Sequence, residues 1–371
     1  MERALARPRD RQLEPAPMKR RIRLMIVDDS TVARAVLSRM VESDPAFEIT
    51  AVAGTAEDAI EALSECRVDI VILDLEMPGA GGLKSIPRII AAAAGAKVMI
   101  VSSLAEDGAE QTVAALALGA ADTMPKPGTG RFNGKFSEIL LSRLKALGYA
   151  DRAPQSAGYA SRATGPQAVL RAMPTDPIGV LAIGASTGGI HALGVLFNAL
   201  PRRIGVPILL TQHLPMPFMP VFARQLGAIA HRRAVVAEDG MLLEPDHIYL
   251  APGDAHLTLE PGKGGVMVRL SHGRATSGCL PSVDPMFASV GSIYGAGALG
   301  VVLTGMGRDG VEGAATLAAC GGSIIAQDEA SCAVWGMPRA VLEAGLVSAV
   351  LPPEKIARRI ASRTEEQREC K

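Results

Sequence analysis

Two groups of residues in this chain have the types and spacing to do chemistry. The first is a set of acids with a lysine. Asp28 and Asp29 follow the apolar run 24–27, Asp74 follows the run 69–73, and Lys126 follows a weaker run at 122–124. Carboxylates gathered in one pocket repel each other unless a cation joins them. Oxygen ligands suit Mg²⁺, which keeps several waters and can also hold a phosphate. Lys126 adds a point positive charge, and Ser102, after the run 97–101, adds a hydroxyl. That set suits transfer of a phosphoryl group onto a carboxylate. Any one of these acids alone is better explained as a helix cap or a turn residue. All of them falling at strand ends of one unit reverses that preference.

The second group centres on a serine. Gly184-Ala185-Ser186-Thr187-Gly188 matches G-x-S-x-G between an apolar run at 179–183 and a helical pattern at 192–200. Small neighbours permit a tight strand-to-helix turn. Such a turn exposes the hydroxyl beside helix N-terminal N–H groups that can hold an oxyanion. Taken alone, the motif is better explained as a phosphate-binding or capping turn. The serine needs a base, and there are six histidines. His213 directly follows the run 206–211, which puts it on the same sheet edge as Ser186. His191 starts a helix and points elsewhere, His231 sits among arginines at a solvated helix end, and His247 and His256 suit structural roles. Asp309 and Asp328 both follow strands and could orient the base. The glycine-rich turn around Asp309 favours it, because close backbone approach suits a site. The order Ser…His…Asp differs from that of a generic α/β-hydrolase.

The elements that must position these groups alternate. From Leu24, five β-type runs (24–27, 49–53, 69–73, 97–101 and 122–124) alternate with helical patterns, the last at 136–147. This predicts a parallel sheet with helices on both faces and a site beyond the strand ends. Residues 148–177 turn small, polar and proline-bearing, which reads as a linker. A second α/β unit begins at Ile178, with strands expected at 179–183, 206–211, 248–251, 266–270, 299–304 and 323–326.

Composition excludes several functions. Lys+Arg and Asp+Glu both number 38, but residues 24–146 are distinctly acidic and residues 1–23 basic. The neutral C-terminal half has no basic face or helix-turn-helix signal, against a DNA-binding regulator. No run reaches the ~18 apolar residues of a membrane span. Five scattered cysteines without a CxxC pair argue against a disulfide framework or zinc site and fit the cytoplasm.

The first half resembles a two-component receiver domain, through Val27-Asp28-Asp29-Ser30, Leu73-Asp74-Leu75-Glu76-Met77-Pro78-Gly79, Val101-Ser102-Ser103 and Lys126-Pro127. The second half is similar to the chemotaxis methylesterase family, CheB. The matching segments are Ile183 to Gly189, Thr211-Gln212-His213-Leu214-Pro215, Ile248 to Gly253, Leu303 to Gly310, Ala326 to Ala330 and Gly336-Met337-Pro338. The resemblance implies a flavodoxin-like five-stranded parallel receiver at 21–147, a linker at 148–177 and a doubly wound α/β serine-hydrolase domain at 178–363. Residues 1–20 would be a disordered extension, with Met18 as an alternative start, and 364–371 a tail. It implies phosphorylation at Asp74, and Mg²⁺ on Asp28, Asp29, Asp74 and the Glu76 carbonyl. Ser102 and Lys126 would read the phosphoryl group. In the second half it makes Ser186 the nucleophile, His213 the base and Asp309 the orienting acid, with Thr187 and Met306 beside the site and no cofactor. The substrates would be methylated glutamates of chemoreceptors, with glutamine deamidation as a companion activity, and the phosphodonor a chemotaxis histidine kinase. No nucleic acid or membrane insertion is implied. Two positions depart from the family pattern. Thr123 stands where receivers carry an aromatic switch residue, and Ile190-His191 where many members have Pro and an acid.

Overall fold

The computed structural model describes residues 20–77, 82–102, 106–126, 134–149 and 170–364. The expected extension and tail, and most of the linker, lie outside them. Ser30 accepts a hydrogen bond from the Ala33 N–H and caps a helix, and Thr55 does the same for the Asp58 N–H. The first unit alternates strictly. It runs β1 (Ile22–Val27), α1 (Thr31–Glu42), β2 (Phe47–Ala53), α2 (Ala56–Glu65), β3 (Ile70–Leu73), α3 (Gly82–Ala92), β4 (Lys97–Ser102), α4 (Glu106–Ala117), β5 (Asp122–Pro125) and α5 (Gly134–Tyr149). Its parallel sheet has the order β2-β1-β3-β4-β5. All four β3 residues, Ile-Val-Ile-Leu, are buried, as a central strand covered on both faces requires. Edge strand β2 alternates buried or half-buried residues with exposed ones.

The second unit winds around β6 (Val180–Ala185). The chain continues through α6 (Gly189–Ala199), β7 (Ile208–Gln212), α7 (Met219–Ala230), β8 (Ala234–Val236), β9 (Ile248–Leu250), β10 (His256–Gly262) and β11 (Gly265–Ser271). It then forms α8 (Val283–Tyr294), β12 (Ala298–Val302), α9 (Val311–Ala319), β13 (Ser323–Gln327), α10 (Met337–Glu343), β14 (Ala349–Leu351) and α11 (Pro353–Ala361). Seven parallel strands lie in the order β14-β13-β12-β6-β7-β9-β8. The winding reverses where β12 pairs with β6, which makes that crevice the ligand-binding switch point of such a sheet.

One expected strand lies elsewhere. The run 266–270 forms β11, which pairs antiparallel with β10 outside the main sheet. Lys263 and Gly264 link the two strands, and Gly264 and Gly265 both have positive φ. That geometry turns the chain back on itself instead of sending it across the sheet. The ribbon packs on α8.

The two units share packing. Val113 and Leu116 of α4 belong to the same apolar core as Ile190 and Leu193 of α6 and Phe222 of α7. On another side Val334 joins the receiver core that contains Met124, Phe136 and Leu140, and Met306 packs against it. Polar contacts flank this seam. Arg224 pairs with Glu110, Gln225 Nε2 donates to the Glu110 carbonyl at 3.3 Å, and His191 Nδ1 lies 3.0 Å from the Ala117 carbonyl.

Helices α8 and α9 touch through a glycine. A Cβ on Gly291 would lie 2.7 Å from the Leu317 Cα, a backbone atom that cannot swing away. Gly291→Ala should therefore cost about 1–3 kcal/mol of stability, as overpacking does, measured as a lower denaturation midpoint.

Candidate active site

Three loops at the switch point converge on one cavity. Ser186 and Thr187 follow β6, His213 follows β7, and Met306 and Asp309 follow β12. Ser186, Thr187, His213 and Met306 line a cavity of about 360 Å³ with Cys279, Leu280 and the receiver residues Asp122 and Arg143. The turn between β6 and α6 is tight because Gly188 adopts φ +76°, and a Cβ there would collide with Ala333. Gly305 allows the neighbouring loop to close in, since a Cβ there would lie 2.7 Å from the Ser186 Cβ. Thr304 braces both loops. Its carbonyl accepts the Ser186 N–H at 3.0 Å, and its hydroxyl lies 2.9 Å from the Thr187 carbonyl. Gln212 Nε2 holds the Ser186 carbonyl at 2.9 Å.

His213 Nε2 lies 2.7 Å from Asp309 Oδ2. Asp309 is 2% exposed. Burial pushes its carboxyl up, but hydrogen bonds from His213, Ser282 Oγ (2.5 Å) and the Val283 N–H (2.8 Å) outweigh burial and hold it well below the usual carboxylate range. An ionised Asp309 makes His213 Nε2 the donor, which leaves Nδ1 as the basic nitrogen. Asp328, the alternative acid, instead accepts from the Ser331 hydroxyl and N–H and shapes its own loop.

The N–H groups of the turn are largely committed. Ser186 N–H goes to Thr304, and Gly189 N–H goes to the Ser186 carbonyl. Gly188 N–H donates 2.7 Å to the carbonyl of Ala121, on the receiver. The expectation of a generally open set of turn donors is thereby narrowed, because a second domain sits on one of them.

The other histidines separate clearly. His231 ends α7 with φ +51° and is exposed. His247 lies 3.0 Å from the Pro245 carbonyl. His191, expected to point away from Ser186, reaches the receiver. His256 is buried, with Nδ1 accepting the Ser282 N–H at 2.9 Å and Nε2 2.8 Å from the Gly273 carbonyl. Ser282 and His256 were not legible as site residues. Ser282-Val283-Asp284 reads only as a helix cap, and nothing in its spacing points to Asp309.

The receiver acids also meet. The carboxylate oxygens of Asp28, Asp29 and Asp74 lie within 4.8 Å of one another. Asp28 and Asp74 are buried and Asp29 is exposed. Lys126 Nζ lies 2.7 Å from Asp74 and 3.0 Å from Asp28. Burial pushes the Asp74 carboxyl up, with Lys126 pulling it down and Asp28 adding to the rise. Burial works against the Lys126 charge, but Asp74 and Asp28 outweigh it and raise its ammonium. Glu76 is tied to Asp74 through its N–H at 3.1 Å. Ser102 is buried, and its hydroxyl has no protein partner among the described residues. Converging acceptor-only oxygens with one solvent-facing acid fit a hard divalent cation. Thr123 is buried at the seam, in a crevice lined also by Ser186 and Thr187.

Comparison with known proteins places both halves. Residues 181–360 match the family model described as CheB methylesterase, and residues 24–131 match the response regulator receiver domain. A protein-glutamate methylesterase/protein-glutamine glutaminase 2 of Caulobacter vibrioides is 42% identical over 345 residues, covering 92% of this chain and 99% of its own. A protein-glutamate methylesterase/protein-glutamine glutaminase 1 of Rhodospirillum rubrum is 39% identical, covering 91% and 93%. The crystal structure of the Thermotoga maritima CheB methylesterase catalytic domain is 36% identical, covers 50% of this chain and 97% of that one, and aligns with a TM-score of 0.48. With a receiver sheet joined to an esterase-type switch-point cavity, and relatives that match almost from end to end, the chain belongs to the CheB methylesterase family.

Proposed function

We propose that this chain is a protein-glutamate methylesterase and protein-glutamine glutaminase whose receiver restrains the esterase until Asp74 is phosphorylated. The observation that carries this reading is the shared cavity of Ser186 and His213, with His213 tied to a buried Asp309 and the receiver covering the turn. The substrates are methylated glutamates and glutamines of chemoreceptors, serving adaptation in chemotaxis. The phosphodonor is a chemotaxis histidine kinase. No helix among the described residues is long and apolar enough to cross a membrane. Free cysteines at 66, 279, 320 and 332 suit a reducing, cytoplasmic setting.

Ser186 Oγ attacks the γ-carbonyl of the methylated side chain while His213 Nδ1 takes its proton. The resulting imidazolium is held by ionised Asp309. The proton then passes to the departing methanol, or to ammonia when the substrate is glutamine. Water, deprotonated by the same nitrogen, releases the glutamate from Ser186. Oxyanion donors come from the α6 N-terminus. Gly188 N–H sits at that terminus, and the Ala121 carbonyl competes for it.

In the receiver, Asp74 is the phosphoryl acceptor. Asp28, Asp29, Asp74 and the Glu76 carbonyl would hold Mg²⁺, which when bound neutralises charge on the phosphoryl oxygens. Lys126 and the buried Ser102 hydroxyl would grip the phosphoryl group. A phosphate on Asp74 brings new charge to Lys126 and shifts the population away from the closed arrangement.

Ser186→Ala should lower methanol release from methylated receptors by roughly 10³-fold or more, and full retained activity would defeat the esterase assignment. Asp74→Asn should abolish stimulation by an acyl-phosphate donor while sparing basal activity. Glu110→Arg or Arg224→Glu should raise the activity of the unphosphorylated chain by about two- to fivefold, the scale of an exposed pair. The charge-swapped double variant should return it toward the parent. Unchanged basal rates in both single variants would speak against restraint through this seam.

A further inference from the structure

Beside the site lies a second buried acid that the esterase mechanism does not use. Asp284, in the first turn of α8, is 8% exposed, and the two residues before it, Ser282 and Val283, both donate to the Asp309 carboxylate, which sets the two acids side by side. Two carboxyls in contact away from water cannot both ionise freely, so they titrate as a pair. A proton resting on Asp309 would stop it from stabilising the His213 imidazolium. Something must therefore decide where the proton sits.

Ser282 is placed to decide it. It is fully buried and caps α8, accepting the Asp284 N–H at 3.2 Å on its Oγ. Its own proton is then free to go to Asp309 Oδ1, only 2.5 Å away. Ser277 Oγ, at 3.3 Å, is left to act as a donor to Ser282. The backbone of Ser282 is fixed as well. Its N–H is held by His256 Nδ1, which leaves His256 Nε2 to donate to the Gly273 carbonyl. Asp309 thus collects a hydroxyl, the Val283 N–H and the His213 N–H. Asp284 receives only backbone N–H groups, from Gly313 and Gly310.

We propose that Ser282 is a positioning residue for the esterase: by donating its hydroxyl proton to Asp309 it assigns the proton of the buried Asp284–Asp309 pair to Asp284 and keeps Asp309 an anion facing His213. The titration directions agree. Burial, with the charge of Asp309 beside it, pushes Asp284 up to about 6, whereas Asp309 stays well below the carboxylate range. The other titratable groups facing the pair are His213 after β7, His256 on β10 and Cys279 before α8. Burial and Asp309 raise the Cys279 thiol, which keeps it neutral in the range tested. Arg308 and Glu312, next to Asp309 in the chain, face solvent.

The inference rests on the Ser186–His213–Asp309 reading and is tested with the full chain. Methanol release from methylated receptor membranes is followed from about pH 5 to about pH 9, with an acyl-phosphate donor present. Ser282→Ala should keep most of its kcat/KM at about pH 8 but lose about tenfold more than the parent by about pH 5.5, with an acid limb steeper than one proton. Ser282→Thr, which restores the hydroxyl, should restore the parent profile. Adding Asp284→Asn to Ser282→Ala should return the limb to a single ionisation, because the amide brings no proton to share. Ser282→Gly, a residue that helix caps tolerate, gives the same reading if the alanine variant does not accumulate. A loss equal at every pH, or an acid limb indifferent to Asp284→Asn, would overturn the proposal. Asp309→Asn is the control. Parental activity in that variant would show that the triad reading itself has failed.

Discussion

A backbone N–H serves one acceptor well at a time, and Gly188 gives its N–H to the receiver. That single bond, 2.7 Å to the Ala121 carbonyl, joins the turn after β6 to the start of β5. Only glycine suits this position, because φ is positive and a Cβ would collide with Ala333. The helix N-terminus that would hold an oxyanion therefore meets a carbonyl oxygen from its own chain. Restraint by a competing acceptor differs from restraint by bulk. The competing carbonyl has the same chemistry as the oxygen of a substrate, so in the proposed mechanism the closed state would satisfy a donor that the reaction needs.

Strand β5 reaches both sites. Ala121 precedes its first residue and touches the esterase turn, and Lys126 follows its last and pairs with Asp74 and Asp28. About five residues of extended chain separate them, roughly 16 Å. Between them Asp122 and Thr123 are tied to α5 through Arg143, which donates to the Asp122 carboxylate at 3.2 Å and to the Thr123 carbonyl at 2.6 Å. A phosphate that draws on Lys126 would act on the strand whose other end holds Gly188. Such a connection needs no aromatic rotor, which bears on the presence of Thr123 at the position where receivers carry a ring. Thr123 lines the seam together with Ser186 and Thr187.

What the sequence could reveal depended on the kind of constraint. Strand ends are topological, so the gathering of Asp28, Asp74 and Lys126, and of Ser186 and His213, was foreseeable from alternation alone. The all-apolar β3 and the Ser30 cap are local, and local patterns are legible. Strand-end position could not separate Asp309 from Asp328, because both follow strands. Side-chain partners separate them: Asp328 is used by Ser331, whereas Asp309 faces His213. The run 266–270 has strand composition, but its pairing partner was decided by the two positive-φ glycines before it. Ser282 and His256 were invisible for a related reason. Their roles come from a loop and a ribbon folding over α8, and no spacing in the chain encodes that.

The burial of Asp309 needs its own explanation, because a charged carboxylate in a dry site is expensive unless it is well paired. The N-terminus of α8 supplies the answer. Its Ser282 cap and Val283 N–H offer a hydroxyl and an amide, and the helix dipole adds a partial positive charge. Asp284 would cancel this if it too were ionised, since it sits in the same first turn. Below about pH 6, where it carries its proton, it is a neutral neighbour that can donate to Asp309 instead of repelling it. The same helix end therefore both holds the anion and discourages its rival. A base such as His213 can then be paired with a buried acid without either group drawing in the water that would dissolve the pair.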